Sequence, residues 1–378
     1  MPDEKLITSR GGKALRRGWT TGSCAAAASQ AAAVLLLTGI APPEIHLHTP
    51  GGITFCLPVE DAHMSGNAAV CTVRKDAGDD PDITNGVRIT ASVHRIEKGV
   101  TIEGGAGVGR ITRPGLAMPV GEAAINPGPR QQIADAVHRA AQQNGYGGGF
   151  SVTISVKDGE ALAAQTYNGH LGIVGGISIL GTSGIVEPMS EKALVDTIRL
   201  ELDSLYAQGQ RIAFLCPGNY GADFARDTLG LDLERAVKCS NFIGEAFDHA
   251  AYRGYPEILL VGHAGKLVKM AAGVMNTHSS VADARQEIFT AHAALCGAPR
   301  ETLEGLMAAI SVDACVELLD EVNLRQPVLS RIGREMENRI ALRMKGQARV
   351  EFIMFTGKYG VLAESAGART LCERLKLQ

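Results

Sequence analysis

The sequence predicts an α+β N-terminal domain, residues 1–170, followed by an α/β domain, residues 171–378, with a mainly parallel, doubly wound sheet. The chain has 378 residues and is 45% hydrophobic, which is enough for two cores. Its first half holds several strand-like segments in succession, which favours antiparallel pairing. Its second half alternates apolar strand-like segments with glycine loops and helices, which is typical of a parallel sheet.

In the first half, a helix is predicted from the segment GWTTGSCAAAA, residues 18–28, to a C-cap at Gly39. Alanine is the best helix former and has almost no side chain, so this helix can closely approach a flat ligand or another domain. A second helix is predicted at 130–144, before the strand FSVTISV. The strands between the helices are EIHLHT, ITFCLPV, AAVCTVRK and VRITASVHRIE.

In the second half, four segments have the βα pattern, and a helical stretch at 284–345, interrupted by Gly297 and Pro327, precedes the last of them. No linker marks the join between the halves, so the boundary is placed between Lys157 and Gly176. The four segments are 177–205, 211–230, 257–275 and 348–375.

Composition excludes several classes of protein. The net charge is −3 and no basic tract is interleaved with aromatic residues, which argues against a nucleic-acid partner. No apolar run approaches the length of a membrane span, and the polar N-terminus lacks a signal sequence, so we expect a cytoplasmic protein with no membrane partner. The eight cysteines show neither CxxC nor zinc spacing, so we expect small apolar residues and no protein-bound metal.

Glycine-containing loops follow the four strand-like segments of the second half, at 181–184, 218–221, 262–266 and 357–360. Ligands of open parallel sheets bind beyond the carboxyl ends of the strands, so these loops are expected to line one crevice. The alternative is that the glycines only form tight turns, because GHAGK and GGAGVGR do not fit the phosphate-binding or dinucleotide fingerprints. The candidate cofactor-binding residues are Gly181, Thr182, Ser183, Gly184, Gly218, Asn219, Gly221 and Gly265.

Charged residues cluster in two kinds of loop in the first half. The segment RKDAGDDPDITNG, residues 74–86, could hold a cation or accept a proton, or could be a solvated turn. Arg110, Arg113 and Arg130 lie beside glycines and prolines. Arginine suits carboxylate ligands, although a salt-bridged surface is the alternative for any one of them.

Seven collinear segments between Gly18 and about Met275 resemble the cobalt-precorrin-5B C-1 methyltransferase family of anaerobic cobalamin biosynthesis. The resemblance implies methyl transfer from S-adenosylmethionine to ring carbon 1 of a cobalt-tetrapyrrole, giving cobalt-precorrin-6A. Cobalt would then enter only as part of the substrate. The segments are GWTTGSCAAAA, VRKDAGDDPDITNG, GGAGVGRITRPGL, INPGPR, GGISILGTSGIVEPMS, PGNYG and GHAGKLVKMAAG.

The resemblance assigns no catalytic residue, so the expected roles depend on chemistry. The second domain is expected to bind S-adenosylmethionine, and the first to bind the carboxylate-fringed macrocycle through the three arginines. Thr20, Thr21 and Ser23 are expected to cap the Ala-rich helix or to contact a carboxylate. For a proton released on methylation the candidates are Asp76, Asp80 and His263, with the aspartates preferred.

Three other functions stay open at this point. A small-molecule kinase would use the glycine loops for ATP, and an NAD(P)-dependent oxidoreductase would suit the second half. A non-enzymatic tetrapyrrole-binding protein would bind the ring without S-adenosylmethionine. A homo-oligomer stays open as an alternative to a monomer.

Overall fold

A computed structural model describes residues 6–377 and divides the chain into two compact units, Met1–Glu191 and Lys192–Gln378. Residues 171–191, predicted to belong to the second domain, therefore lie in the first unit. The physical reason is strand pairing: Ile173–Val174, Gly176–Ile177 and Ile185–Val186 each pair with a strand of unit 1.

Unit 1 contains three helices and fourteen strands among its described residues. The helices are α1 (Thr21–Thr38), α2 (Pro127–Gln143) and α3 (Gly159–Ala163). The strands are β1 (Ile7–Arg10), β2 (Lys13–Arg16), β3 (Gly18–Trp19), β4 (Glu44–His48), β5 (Thr54–Ser65), β6 (Ala68–Arg74), β7 (Arg88–Ile96), β8 (Val100–Gly104), β9 (Gly107–Val108), β10 (Arg110–Ile111), β11 (Gly149–Val156), β12 (Ile173–Val174), β13 (Gly176–Ile177) and β14 (Ile185–Val186).

The main sheet of unit 1 has the strand order β4-β5-β6-β7-β11-β8. Its first five strands pair antiparallel, as predicted, whereas β8 pairs parallel to β11, so the sheet is mixed. Apolar residues alternate along its strands and form one core with α1 and α2.

Helix α1 has the ends that the sequence predicts. The Thr20 side chain accepts a hydrogen bond from the Ser23 amide, and Gly39 ends the helix with a φ of 75°. Ala25–Ala28 are fully buried in the core, so their small size serves close packing within unit 1 and not contact with a flat ligand. By length and composition α1 could cross a membrane, but 78% of it is buried inside the protein, as in a core helix.

Unit 2 contains the remaining helices and strands. The helices are α4 (Glu191–Ala207), α5 (Asn219–Asp227), α6 (Ile243–Arg253), α7 (Ala264–Leu267), α8 (Arg285–Ala294), α9 (Arg300–Ala308), α10 (Val312–Glu321), α11 (Arg325–Met344) and α12 (Ala368–Lys376). The strands are β15 (Ile212–Cys216), β16 (Ala236–Lys238), β17 (Glu257–His263), β18 (Arg349–Thr356) and β19 (Gly360–Glu364), and short 3₁₀ helices cover Leu233–Arg235 and Val268–Ala272.

The sheet of unit 2 has the order β16-β15-β17-β18-β19 and is also mixed. Its first four strands are parallel, and β19 is antiparallel at the edge. Alternate residues of β15, β17 and β18 enter two separate cores, one shared with α5 and α12 and one shared with the other long helices.

Two of the four predicted βα segments differ from expectation. Residues 177–205 contain no strand of this sheet, so the prediction that 181–184 follows such a strand is wrong. Gly357–Gly360 connects β18 to β19 as a hairpin and does not lead into a helix. The predicted break at Gly297 separates α8 from α9, whereas Pro327 lies within the first turn of α11, where proline is tolerated.

Candidate functional site

Two adjacent parallel strands of unit 2 end in loops that the sequence singled out. From β15 the chain moves outward to β16, then returns to the other side of β15 as β17. The direction of strand addition therefore reverses between β15 and β17. In open α/β sheets such a reversal point is where the loops diverge and ligands bind.

The loop after β15 leads directly into helix α5. Gly218, with a φ of 105°, is the N-cap, and Asn219 begins the helix and accepts a hydrogen bond from Lys238 at 3.4 Å. A Cβ atom on Gly221 would lie 2.7 Å from the carbonyl oxygen of Val261, so glycine is required for α5 to pack against β17. This contact holds the N-terminus of α5 beside the end of β17.

His263 is the last residue of β17 and the N-cap of α7. Its Nδ1 accepts a hydrogen bond of 3.1 Å from the Gly265 amide, which assigns the proton of the neutral ring to Nε2. Burial keeps the pKa of His263 below its ordinary value, which favours that neutral form. The ring therefore presents a hydrogen-bond donor and is a poor proton acceptor.

Lys266 is a cation that lies beside the two loops, and it was not predicted from the sequence as a site residue. Its Nζ donates to the carbonyl oxygen of Ser240 at 3.2 Å and would lie 3.4 Å from a Cβ on Gly218. Burial lowers the pKa of Lys266. The only feature of the sequence that points to Lys266 is its place as the last residue of the glycine loop GHAGK.

Glu201 on α4 is a second missed residue. It is 8% exposed, and burial raises its pKa to about 7 despite a backbone hydrogen bond from Lys238. Nothing in its helical sequence context distinguishes it from an ordinary surface glutamate.

In unit 1, the hydroxyl residues of α1 contact the loop around 178–184. Thr21 donates to the carbonyl oxygens of Ser178 and Leu180 and accepts from the Leu180 amide at 2.9 Å. Ser23 donates to the carbonyl oxygen of Gly184 at 2.7 Å. All three hydroxyl residues are buried: Thr20, Thr21 and Ser23. They therefore support the loop from its buried side and expose no hydroxyl to a ligand.

The loop itself divides into a buried part and an exposed part. Gly184 is buried against Ser23 and Thr49, while Thr182 and Ser183 are exposed. The amide of Gly51 donates to the carbonyl oxygen of Ser183 at 2.8 Å. The predicted cofactor loop is thus a firmly anchored, hydroxyl-bearing surface of unit 1.

The acidic loop is held together by its own ion pairs. Arg16 donates two hydrogen bonds to Asp76, at 2.7 and 2.8 Å, and lowers the pKa of that carboxyl. Asp82 pairs with the buried ammonium of Lys75. Asp80 accepts one bond from the Met189 amide at 2.9 Å and is half-buried. Asp76 is therefore a weak proton acceptor, and Asp80 is less constrained.

The three predicted arginines have different surroundings. Arg130 donates to the carbonyl oxygens of Ile125 and Ile102, at 2.9 and 3.0 Å, and so braces the main chain. Arg110 is 51% exposed and pairs with Glu103 at 3.0 Å. The stem of Arg113 packs over Gly172. Arg110 also donates to the carbonyl oxygen of Gly121 at 3.0 Å.

Two family models of the same family match separate parts of the chain. The family model CbiD matches residues 8–188, and the CbiD C-terminal domain matches residues 276–366. A solved structure titled as a cobalamin biosynthesis protein from Archaeoglobus fulgidus is 31% identical, with a TM-score of 0.40, over 75% of this chain and 88% of that one.

Curated relatives named cobalt-precorrin-5B C(1)-methyltransferase match nearly the whole chain. The protein from Ruminiclostridium cellulolyticum is 50% identical over 92% of this chain and 90% of its own. The protein from Alkaliphilus metalliredigens is 43% identical over 97% of this chain and 96% of its own. With two family models and relatives matched over most of their length, the chain belongs to the cobalt-precorrin-5B C(1)-methyltransferase family, CbiD.

Proposed function

We propose that this protein transfers a methyl group from S-adenosylmethionine to carbon 1 of cobalt-precorrin-5B, giving cobalt-precorrin-6A, in the cytoplasm. The observation that carries the proposal is relatedness over almost the full chain to proteins named for this reaction. Cobalt takes part only as a component of the substrate.

Methyl transfer to carbon is an in-line displacement in which the sulfonium leaves as a neutral thioether. The reaction needs no protein nucleophile. It needs the two reactants held about 3 to 3.5 Å apart, in line and away from water. A site made of loops, main-chain donors and a few fixed charges is sufficient for this chemistry.

The proposed S-adenosylmethionine site lies at the strand reversal of unit 2, which we interpret as a doubly wound domain. The parallel order of β16, β15, β17 and β18 and the cores on both faces support this interpretation. Lys266 would hold the α-carboxylate, while Asn219 and the Nε2 proton of His263 would bind polar groups of the ribose. Because Gly218 and Gly221 have no side chains, the N-terminus of α5 lies close to Val261 and Lys266.

The macrocycle is assigned to unit 1. Its peripheral carboxylates require cations, and Arg110 and Arg113 in glycine-rich segments are suitable, with Arg130 bracing the same segments. Thr182 and Ser183 offer exposed hydroxyls on the anchored loop. Thr20, Thr21 and Ser23 position that loop and do not contact the substrate.

A methyl cation added to a ring carbon of the conjugated macrocycle leaves one excess positive charge, which is balanced when the macrocycle releases a proton, and we assign Asp80 to accept it. The preference for Asp80 over the other two candidates is supported by the two hydrogen bonds that Asp76 accepts from Arg16 and by the tautomer of His263. Under saturating substrates, Asp80→Asn should lower turnover by about 10²–10⁴-fold. Asp76→Asn and His263→Gln should retain more turnover, and the reverse order would reject the assignment.

Calorimetric titration with S-adenosylhomocysteine, with and without a cobalt-tetrapyrrole, tests the proposed binding function. We expect S-adenosylhomocysteine to bind in both cases. ATP or NAD(P) binding in its place would favour the kinase or the oxidoreductase. Tetrapyrrole binding without S-adenosylhomocysteine binding would favour a carrier.

A further inference from the structure

Three side chains of different metal-binding chemistry lie together on the exposed edge of the unit 1 sheet. Glu44 and His46 are two residues apart on β4, so they point to the same face, and Cys56 on β5 is directly opposite His46. Their ligand atoms all lie within 4.8 Å of one another. This juxtaposition is produced by strand register, since Cys56 follows His46 by ten positions and fits no metal-binding spacing.

The Glu44 carboxylate lies close to both of the other groups. The His46 Nε2 lies 3.1 Å from a Glu44 oxygen. A hydrogen bond with the same carboxylate raises the pKa of the Cys56 thiol. Glu44 therefore contacts both other groups, and a cation at their centre would replace these contacts with direct bonds to all three.

The distances suit a tetrahedral ion. Bonds of about 2.0 Å to nitrogen and oxygen and about 2.3 Å to sulfur place ligand atoms roughly 3.3 to 3.5 Å apart. The ligand atoms lie up to 4.8 Å apart, and because the three side chains are exposed, small rotamer changes can shorten these distances without moving the main chain. Exposure also leaves the fourth position to water.

Cys56 differs from the other cysteines in its environment. It is the only exposed one of the eight, while Cys296 is half-buried and the other six are buried. The expectation that the cysteines act as small apolar residues therefore does not describe Cys56. A thiolate beside an imidazole favours a soft or borderline divalent ion over Mg²⁺ or Ca²⁺.

We propose that Glu44, His46 and Cys56 bind a thiophilic divalent ion, of the Zn²⁺ class, with three protein ligands and one open position. On binding, Cys56 releases its thiol proton to solvent, and the thiolate, the imidazole and the carboxylate each form one bond to the ion. The site is separate from the proposed methyl-transfer residues and does not depend on the proposed function.

The test is titration of the chelator-treated full-length protein with Co²⁺, without tetrapyrrole, followed by absorption. We expect one equivalent to produce a thiolate-to-cobalt charge-transfer band and the visible bands of tetrahedral Co²⁺, both removed by Zn²⁺. Cys56→Ser should abolish the charge-transfer band. His46→Ala should weaken binding by at least the roughly 10- to 100-fold that loss of an outer-shell partner costs.

His48→Ala is the matched control, because His48 lies on the same strand and face but is hydrogen-bonded to Thr54 at 3.1 Å. This variant and Cys296→Ser should retain the bands. Absence of a charge-transfer band in the unmodified protein, or its persistence in Cys56→Ser, would overturn the proposal. Loss of the band in His48→Ala with retention in His46→Ala would overturn the ligand assignment.

Discussion

The Ser23 hydroxyl donates a 2.7 Å hydrogen bond to the carbonyl oxygen of Gly184, so the first turn of α1 holds a loop 161 residues further along the chain. Both residues are buried. The alanine-rich segment that follows Ser23 lets α1 lie deep in the core of unit 1, and the hydroxyls at its start fix the surface above it. Helix packing and loop geometry are thereby coupled.

Ser23→Ala should reduce the free energy of unfolding by about 0.5 to 1.5 kcal/mol, because the buried Gly184 carbonyl loses one donor and keeps the Thr20 amide. Ser29→Ala is the control: its hydroxyl bonds the Ala25 carbonyl within the same helix, and that carbonyl is part of the helical ladder. Urea unfolding of both variants measures the difference. Equal losses would mean that the contact with the loop contributes nothing specific.

Gly18→Ala should destabilise unit 1 by more than about 3 kcal/mol, above the usual cost of overpacking. Its new Cβ would lie 2.3 Å from the main-chain carbon of Ala77 and from the carbonyl oxygen of Asp76. Gly147→Ala, which has no atom within 4 Å of the added Cβ, is the matched control and should change stability little. Thermal unfolding distinguishes them, and two similar melting temperatures would contradict the close approach.

Glu201 should make stability depend on pH. Its pKa is raised from 4.5 to about 7 in the folded protein, so its contribution is full below 4.5 and is lost as the pH rises toward 7. Glu201→Gln should remove this decline, whereas Asp196→Asn, a half-exposed position on the same helix, should retain it. The measurement is urea unfolding at about pH 5 and about pH 8. A parallel decline in Glu201→Gln and the unmodified protein would reject this explanation.

Lys266→Ala should weaken S-adenosylhomocysteine binding by about 10- to 100-fold, the value of one partly desolvated charge-assisted hydrogen bond. Lys376→Ala serves as control, because Lys376 pairs with Glu373 in α12, away from the β15 and β17 loops. Calorimetry gives both affinities. Unchanged affinity in a folded Lys266→Ala variant would place the carboxylate elsewhere.

Features determined by neighbouring residues could be predicted from the sequence. The Thr20 cap, the Gly39 terminus and the loop at 218–221 each depend on a few consecutive residues. The pairing of residues 173–186 with unit 1 could not be predicted, because two-residue strands carry almost no periodicity and their partners are distant in the chain.

In the candidate site, too, the sequence predicts the residues that depend on their neighbours in the chain and misses those that depend on distant elements. Gly218, Asn219, Gly221 and Gly265 lie where a strand ends and a helix begins, and that adjacency is visible in the sequence. The burial that perturbs Lys266 and Glu201 arises from elements far apart in the chain. The register that joins His46 to Cys56 is likewise invisible to spacing rules.

The most direct test of the central claim is incubation of the protein with cobalt-precorrin-5B and S-adenosylmethionine labelled in its methyl group. We predict transfer of one labelled methyl group to carbon 1, with one S-adenosylhomocysteine formed for each product molecule, as judged by mass and NMR spectroscopy. Tetrapyrrole binding without label transfer, or label at a different carbon, would contradict the account.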